Sequence, residues 1–199
     1  MKYSIKNILF ISLSIYSVSC ASTSHVRIPD NAVTLGQTTS EQITAHLGPP
    51  GRVATVIRNG RQIKSITYFF GTSGDGSDDP EAAGASRSQA FYFFDNKLVG
   101  YEFASSWKED STNFDSRKVV KIKKGESTKD DIVRLFGKPG GEYIYPIIPN
   151  RDEEAVNYFY NIIKKSGSLE FKPYRKLLVI TFNKEGIVTN VEYVESDQQ

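Results

Sequence analysis

The chain has 199 residues, of which 39% are apolar, 12% aromatic and 24% charged. That is enough apolar side chain for packed cores, and it excludes wholesale disorder. Its 25 Lys and Arg fall to 23 once Lys2 and Lys6 leave with a leader, matching the 23 Asp and Glu, so the remaining chain lacks the basic footprint of a nucleic-acid binder.

The N-terminus reads as an address in residues 1–19. Lys2 and Lys6 are followed by an apolar run at residues 8–16 (ILFISLSIY), too short to span a bilayer stably, and then by the small residues Ser17, Val18 and Ser19. The next residue, Cys20, is the only cysteine. This arrangement resembles the lipobox of bacterial lipoproteins, although Ser17 stands where Leu is commoner. The resemblance implies a cysteine that is diacylglyceryl-modified and then acylated as the first mature residue. Acyl chains contribute about 0.8 kcal/mol per buried methylene, so such an anchor is essentially permanent. An ordinary secreted chain cut nearby is the alternative, but it would carry an unpaired thiol. Residues 20–32 read as a tether. Ala21 is not the Asp associated with inner-membrane retention, so the resemblance implies an outer-membrane, periplasm-facing location.

The body of the chain holds one pattern twice. Residues 33–50 align with residues 119–139, placing Gly36 on Gly125, Thr39 on Thr128, Ile43 on Ile132, Leu47 on Phe136, Gly48 on Gly137 and Pro50 on Pro139 at an offset of 89. Two units of one design follow. In the first, Thr38 and Glu41 have the spacing of a reciprocal helix cap, and Ile43, His46 and Leu47 form a stripe at i, i+3 and i+4. Gly48 ends the helix, and Pro49 and Pro50 prevent its continuation. In the second, Ser127 and Asp130 take the cap, with Ile132, Leu135 and Phe136 as the stripe.

Helices this short need a sheet to pack on. In repeat 1, residues 52–58 and 62–70 are β-prone runs around Asn59-Gly60, a strong hairpin signal, with Arg61 leaving the loop length open. Residues 89–94 and 98–103 follow, joined through Asp95, Asn96 and Lys97. In repeat 2 the corresponding runs are residues 142–148, 156–163, 176–182 and 188–194. Glu102-Phe103 matches Glu192-Tyr193 at an offset of 90. The expected fold is α+β, with two tandem repeats, each a short capped helix or helix pair on a small antiparallel sheet: repeat 1 at 33–104, a linker at 105–117 and repeat 2 at 118–196.

This plan resembles the small outer-membrane lipoproteins of the SmpA/OmlA (BamE-like) family and the tandem repeat of the β-lactamase inhibitor protein. Gly125, Thr128, Ile132, Gly137, Pro139, Phe182, Gly186, Val188 and Val191 carry the likeness, while repeat 1 lacks the Gly of the final turn. Every matching residue has a packing or turn role, so the resemblance implies a fold more than a function.

Catalytic chemistry finds no candidates. Only His25 and His46 exist, and there is no HExxH, G-x-S-x-G elbow or P-loop. The expectation is no catalytic residue, no cofactor and no metal. Asp75, Asp78, Asp79 and Glu81 in residues 71–87 lack EF-hand spacing and read as a solvated hairpin loop. Residues 164–176 are basic instead, and this opposition reads either as a dipolar docking surface or as solubility alone.

Aromatics are too dense for one buried face: since strand neighbours point to opposite sides, residues 91–94 (FYFF) must be covered twice. Phe91, Phe93, Tyr101 and Trp107 are the candidate interface, with Trp107 also placed to pack in the junction. The functional expectation is a non-enzymatic, lipid-anchored envelope protein that binds one or more envelope proteins, in outer-membrane assembly or integrity. The alternative is an inhibitor-like module that fills an enzyme's cleft.

Overall fold

The computed structural model describes residues 27–73, 76–110, 112–166 and 170–197. Cys20, the leader and part of the tether lie outside them. The fold is mostly β, a single eight-stranded antiparallel sheet curled as a half-barrel, with strands in chain order. The strands are β1 (Arg52–Arg58), β2 (Arg61–Ser73), β3 (Gly84–Phe94), β4 (Lys97–Ser105), β5 (Gly141–Tyr143), β6 (Glu154–Ser166), β7 (Glu170–Phe182) and β8 (Val188–Asp197). The α-helices are α1 (Ser40–Leu47) and α2 (Lys129–Phe136), and both lie over the same face. The expectation of two small sheets is therefore corrected to one continuous sheet.

The two helices are built alike because the repeated residues dictate it. Thr39 and Thr128 are the N-caps, each in a capping box with Gln42 or Asp131, one residue later than the expected Thr38 and Ser127. Thr38 and Ser127 instead accept the N–H groups of Thr34 (2.8 Å) and Lys123 (2.9 Å). Each helix then stops at a glycine with positive φ, 79° at Gly48 and 78° at Gly137, where a β-carbon would be strained. Tyr68 donates its hydroxyl to the Gly48 carbonyl and Tyr158 to that of Gly137, both at 2.9 Å. Main-chain bonds repeat too: Gly36 N–H to Leu98 O (2.7 Å) and Gly125 N–H to Val188 O (2.8 Å).

Under α1, Ile43 packs with Ile66, Tyr68, Phe91, Phe93 and Leu98; under α2, Ile132 packs with Tyr158, Leu178, Ile180, Phe182 and Val188. Each fully buried large apolar side chain contributes about 1.5–3 kcal/mol, which is what holds eight-residue helices that would melt alone. His46 is exposed and not part of the stripe.

The seam between the repeats is the part that the repeat pattern leaves unspecified. β4 pairs with β5 at Gly100 and Tyr143, Gly140 N–H bonds Asn157 O (2.8 Å), and Asn157 Nδ2 bonds Tyr101 O (3.0 Å). Farther along, Thr112 of the linker bridges Ser105 and Phe159 through main-chain contacts, its Oγ1 donating to Phe159 O at 2.5 Å. Lys176 is buried here, its ammonium held by Asn113 Oδ1 (2.5 Å) and Phe114 O (2.6 Å). Burial pushes its pKa down from the ordinary lysine value.

The expected loop at 71–87 is strand at both ends, residues 71–73 and 84–87, and residues 76–83 between them form a clasp. Asp78 N–H bonds Ser106 O, Ala83 N–H bonds Ile163 O and Lys165 N–H bonds Glu81 O, each at 2.8 Å. Tyr160 donates to Asp78 Oδ1 (2.8 Å), while Lys164 pairs with Asp79 (3.3 Å) and Glu81 (3.1 Å). The acidic and basic segments thus meet each other across the seam, which corrects their reading as a docking surface for a partner.

Candidate functional site

With both helices on one face, the other face of the sheet stays open. Alternation assigns the residues: Tyr68, Ile162 and Tyr193 pack on the helix side, so Phe69, Ile163 and Val194 point the other way. Phe69 is 61% exposed, Ile163 47%, Phe171 60% and Val194 51%. Ile163 faces Pro173, Lys165 faces Phe171 and Leu177 faces Val194 across β6, β7 and β8. Leu177 and Phe159, half-buried and paired with each other, extend this apolar row.

The residues expected to form an interface are elsewhere. Phe91 and Phe93 are each 2% exposed, in the core beneath α1, because their register places them opposite Ile66 and Lys64 on the helix side. This corrects their reading as contact residues. Tyr101 is half-buried against the same cluster. Trp107 lies in the junction, stacked on Phe70 at 5.5 Å with the Arg87 guanidinium 4.7 Å above it, while Arg87 Nε bonds Asp110 (2.9 Å).

Residues 144–153, of which 144–148 were expected as strand, form a strap across the open face. Pro146 and Pro149 lack the N–H that a ladder needs. The strap is tied to the β1–β2 turn, where Asn59 Nδ2 donates to Pro146 O (3.0 Å) and Ile147 O (3.2 Å). Asn59 (φ 47°) and Gly60 (φ 70°) form the two-residue turn that makes this contact possible, settling the loop length. Tyr143, Ile148 and Ala155 pack beneath the strap, with Ile147, Tyr92 and Val179 around them. Its tip, residues 149–152, is exposed.

Under the strap is a cavity of about 260 Å³. Glu102 of β4 occupies its wall, facing the open side because Tyr101 and Phe103 face the helices. Tyr92 Oη donates to Glu102 Oε1 at 2.9 Å, and Tyr143 Oη donates to the same oxygen. Among the described residues the second carboxyl oxygen has no partner. Burial raises the Glu102 pKa above the ordinary carboxylate range, opposed by the Tyr143 and Tyr92 hydroxyls and then by Arg58. Burial and the neighbouring Glu102 also raise both tyrosines. Leu177 and Val179 form apolar walls, and Glu192 of β8 stands opposite Val179. Glu102 and Glu192 are the pair matched by the repeat, so one position of the design supplies a carboxylate from each half to one cavity.

In the sequence that pair stands out only as a repeat match. The readable signal was the strand alternation, which sets Glu102 between two inward aromatic residues and Phe69 opposite Tyr68. A second cavity of about 380 Å³ lies at the junction between the linker and the end of α2, lined by both Arg27 and Lys138 and by Glu109 and Asp110. Among the described residues, no cluster of three or more His, Cys, Asp or Glu is arranged to hold a metal, and no helix is long and apolar enough to cross a membrane.

No family model matches the chain, the SmpA/OmlA family included, and no curated protein matches it. Among solved structures, the chain is similar to one described as a "putative beta-lactamase inhibitor protein" from Streptococcus mutans, with 16% identity and a TM-score of 0.41 over 82% of this chain and 91% of that chain. That likeness brings no residue, ligand or activity with it.

Proposed function

We propose that this chain is a non-catalytic protein-binding module, held at the cell envelope through an acylated Cys20, that docks a partner on the open face of its sheet. The observation that carries the reading is the apolar exposure of Phe69, Ile163, Phe171 and Val194 on the face that neither helix covers. Exposed apolar surface of this kind marks interaction sites. Outer-membrane assembly or integrity is the setting that the lipobox-like N-terminus supports.

The strap favours an inhibitor-like form of the same reading. A loop already fixed by the Asn59 bonds, with an exposed tip whose Pro149 lines one cavity with Leu177, enters an enzyme cleft at little entropic cost.

The test is quantitative mass spectrometry of proteins co-purifying from solubilised membranes. Wild type is compared with the triple variant Phe69→Asp, Phe171→Asp, Val194→Asp and with Cys20→Ser. The triple variant is expected to lose a defined protein about tenfold or more while melting within about 2 °C of wild type, since the substituted side chains are exposed. Cys20→Ser is expected to leave the membrane fraction and to lack the acyl mass. If the triple variant recovers the same proteins at the same level as wild type, the docking face is wrong. If the lost protein is an enzyme that the wild type inhibits, the inhibitor-like form is the right one.

A further inference from the structure

We propose that the cavity beneath the strap receives the side-chain ammonium of a lysine presented by the docked partner. This rests on the open face being the docking surface, since Leu177, Val179 and Glu192 place the cavity on that face.

Size comes first. At about 260 Å³ the cavity falls below the roughly 300–1,000 Å³ of sites for free small molecules, and suits a single side chain. Its walls divide as a lysine does. Ile147, Leu177 and Val179 offer apolar surface to a methylene stem, while Glu102, Tyr92 and Tyr143 gather the polar atoms at one end.

Charge comes next. Glu102 and Glu192 supply two carboxyl groups against one cation, Arg58, whose exposed guanidinium bonds Ile57 O (3.3 Å). An entering cation therefore meets a net negative wall when Glu102 is ionised.

Hydrogen-bond geometry then chooses between the two basic side chains. Both tyrosine hydroxyls converge on Oε1 of Glu102, leaving its other oxygen, among the described residues, as the one unoccupied acceptor of that carboxyl group. A guanidinium needs both oxygens of a carboxylate for its bidentate fork. An ammonium, with three donors spread in space, can take that oxygen together with lone pairs of Tyr92 and Tyr143. The aromatic rings, 6.3 Å apart and edge to face, add favourable surroundings for a cation.

The experiment is a titration of the full chain with n-butylammonium at constant ionic strength, followed by NMR or calorimetry, with n-butylguanidinium and 1-butanol in parallel. Butylammonium is expected to bind about tenfold tighter than 1-butanol, the scale of one charge-assisted hydrogen bond in an enclosed site, and tighter than butylguanidinium. Glu102→Gln is expected to remove that advantage. Binding is expected to weaken as pH falls and Glu102 takes its proton. The groups facing Glu102 are Tyr92 of β3, Tyr143 of β5, Arg58 of β1 and, across the cavity, Glu192 of β8. Glu192→Gln, on an exposed position, is expected to weaken binding several-fold and to keep the pH dependence. It serves as the readout if Glu102→Gln fails to fold.

Equal binding of butylammonium and 1-butanol, tighter binding of butylguanidinium, or wild-type binding by a folded Glu102→Gln overturns the proposal. With Glu102→Gln unfolded, wild-type binding by Glu192→Gln does so. Phe171→Asp lies outside the cavity and should leave butylammonium binding intact. Loss of the docking reading with alkylammonium binding retained, or the reverse, therefore tells the two apart.

Discussion

Gly141→Ala is expected to destabilise the protein by about 4 kcal/mol or more, enough to unfold it under mild denaturant. An added β-carbon would lie 1.9 Å from the Tyr101 carbonyl oxygen and 2.9 Å from Asn157 Nδ2. The nearer atom is backbone in the middle of β4, so relief requires β5 to leave its neighbour. β5 is three residues long, and its pairing with β4 is the ladder that makes one sheet of two repeats. Gly36→Ala is the matched control. Gly36 has φ 75° with nothing within 4 Å of an added β-carbon, so only backbone strain is lost, about 1 kcal/mol. Urea titrations of the two variants beside wild type measure the difference, and equal costs would show that the seam yields freely.

Phe182→Ala is expected to cost about 3–5 kcal/mol, because a fully buried ring beneath α2 is replaced by a cavity. Phe93→Ala, its counterpart at the matching position beneath α1, should cost a similar amount. The sharper expectation concerns cooperativity. If β4 and β5 make one sheet, each variant lowers a single transition that fluorescence and far-UV circular dichroism report at the same urea concentration. Two separated transitions, one moved by Phe93→Ala and the other by Phe182→Ala, would mean that the repeats unfold independently.

What could be read in the sequence was local. Gly48 and Gly137 end their helices as the pattern requires, and Asn59-Gly60 turns the first hairpin, because each outcome depends on a few adjacent residues. The caps moved by one position, from Thr38 and Ser127 to Thr39 and Thr128, since two neighbouring hydroxyl residues compete for the same role and tertiary contacts decide. The seam could not be read. It depends on Gly140 and Gly141 letting two backbones approach, and a glycine looks the same in sequence whether it serves a turn or a close approach. The FYFF run of β3 showed that both faces of the strand are covered, but not which face takes the helix. Phe91 and Phe93 went to the core, and the exposed role fell to Phe69 and Phe171. The opposed charges of the long hairpins were legible, whereas their meeting through Lys164, Asp79 and Glu81 required the curl of the whole sheet.

Site-specific photo-crosslinking in intact cells tests the docking face most directly. A photoreactive residue is placed at Phe69, Phe171 or Val194 on the open face, or at Val120 or Val133 on the exposed outer side of repeat 2, which includes α2. The account predicts a common crosslinked protein from the open-face positions and none from Val120 or Val133. Crosslinks confined to Val120 and Val133 would place the partner on the helix side and contradict it.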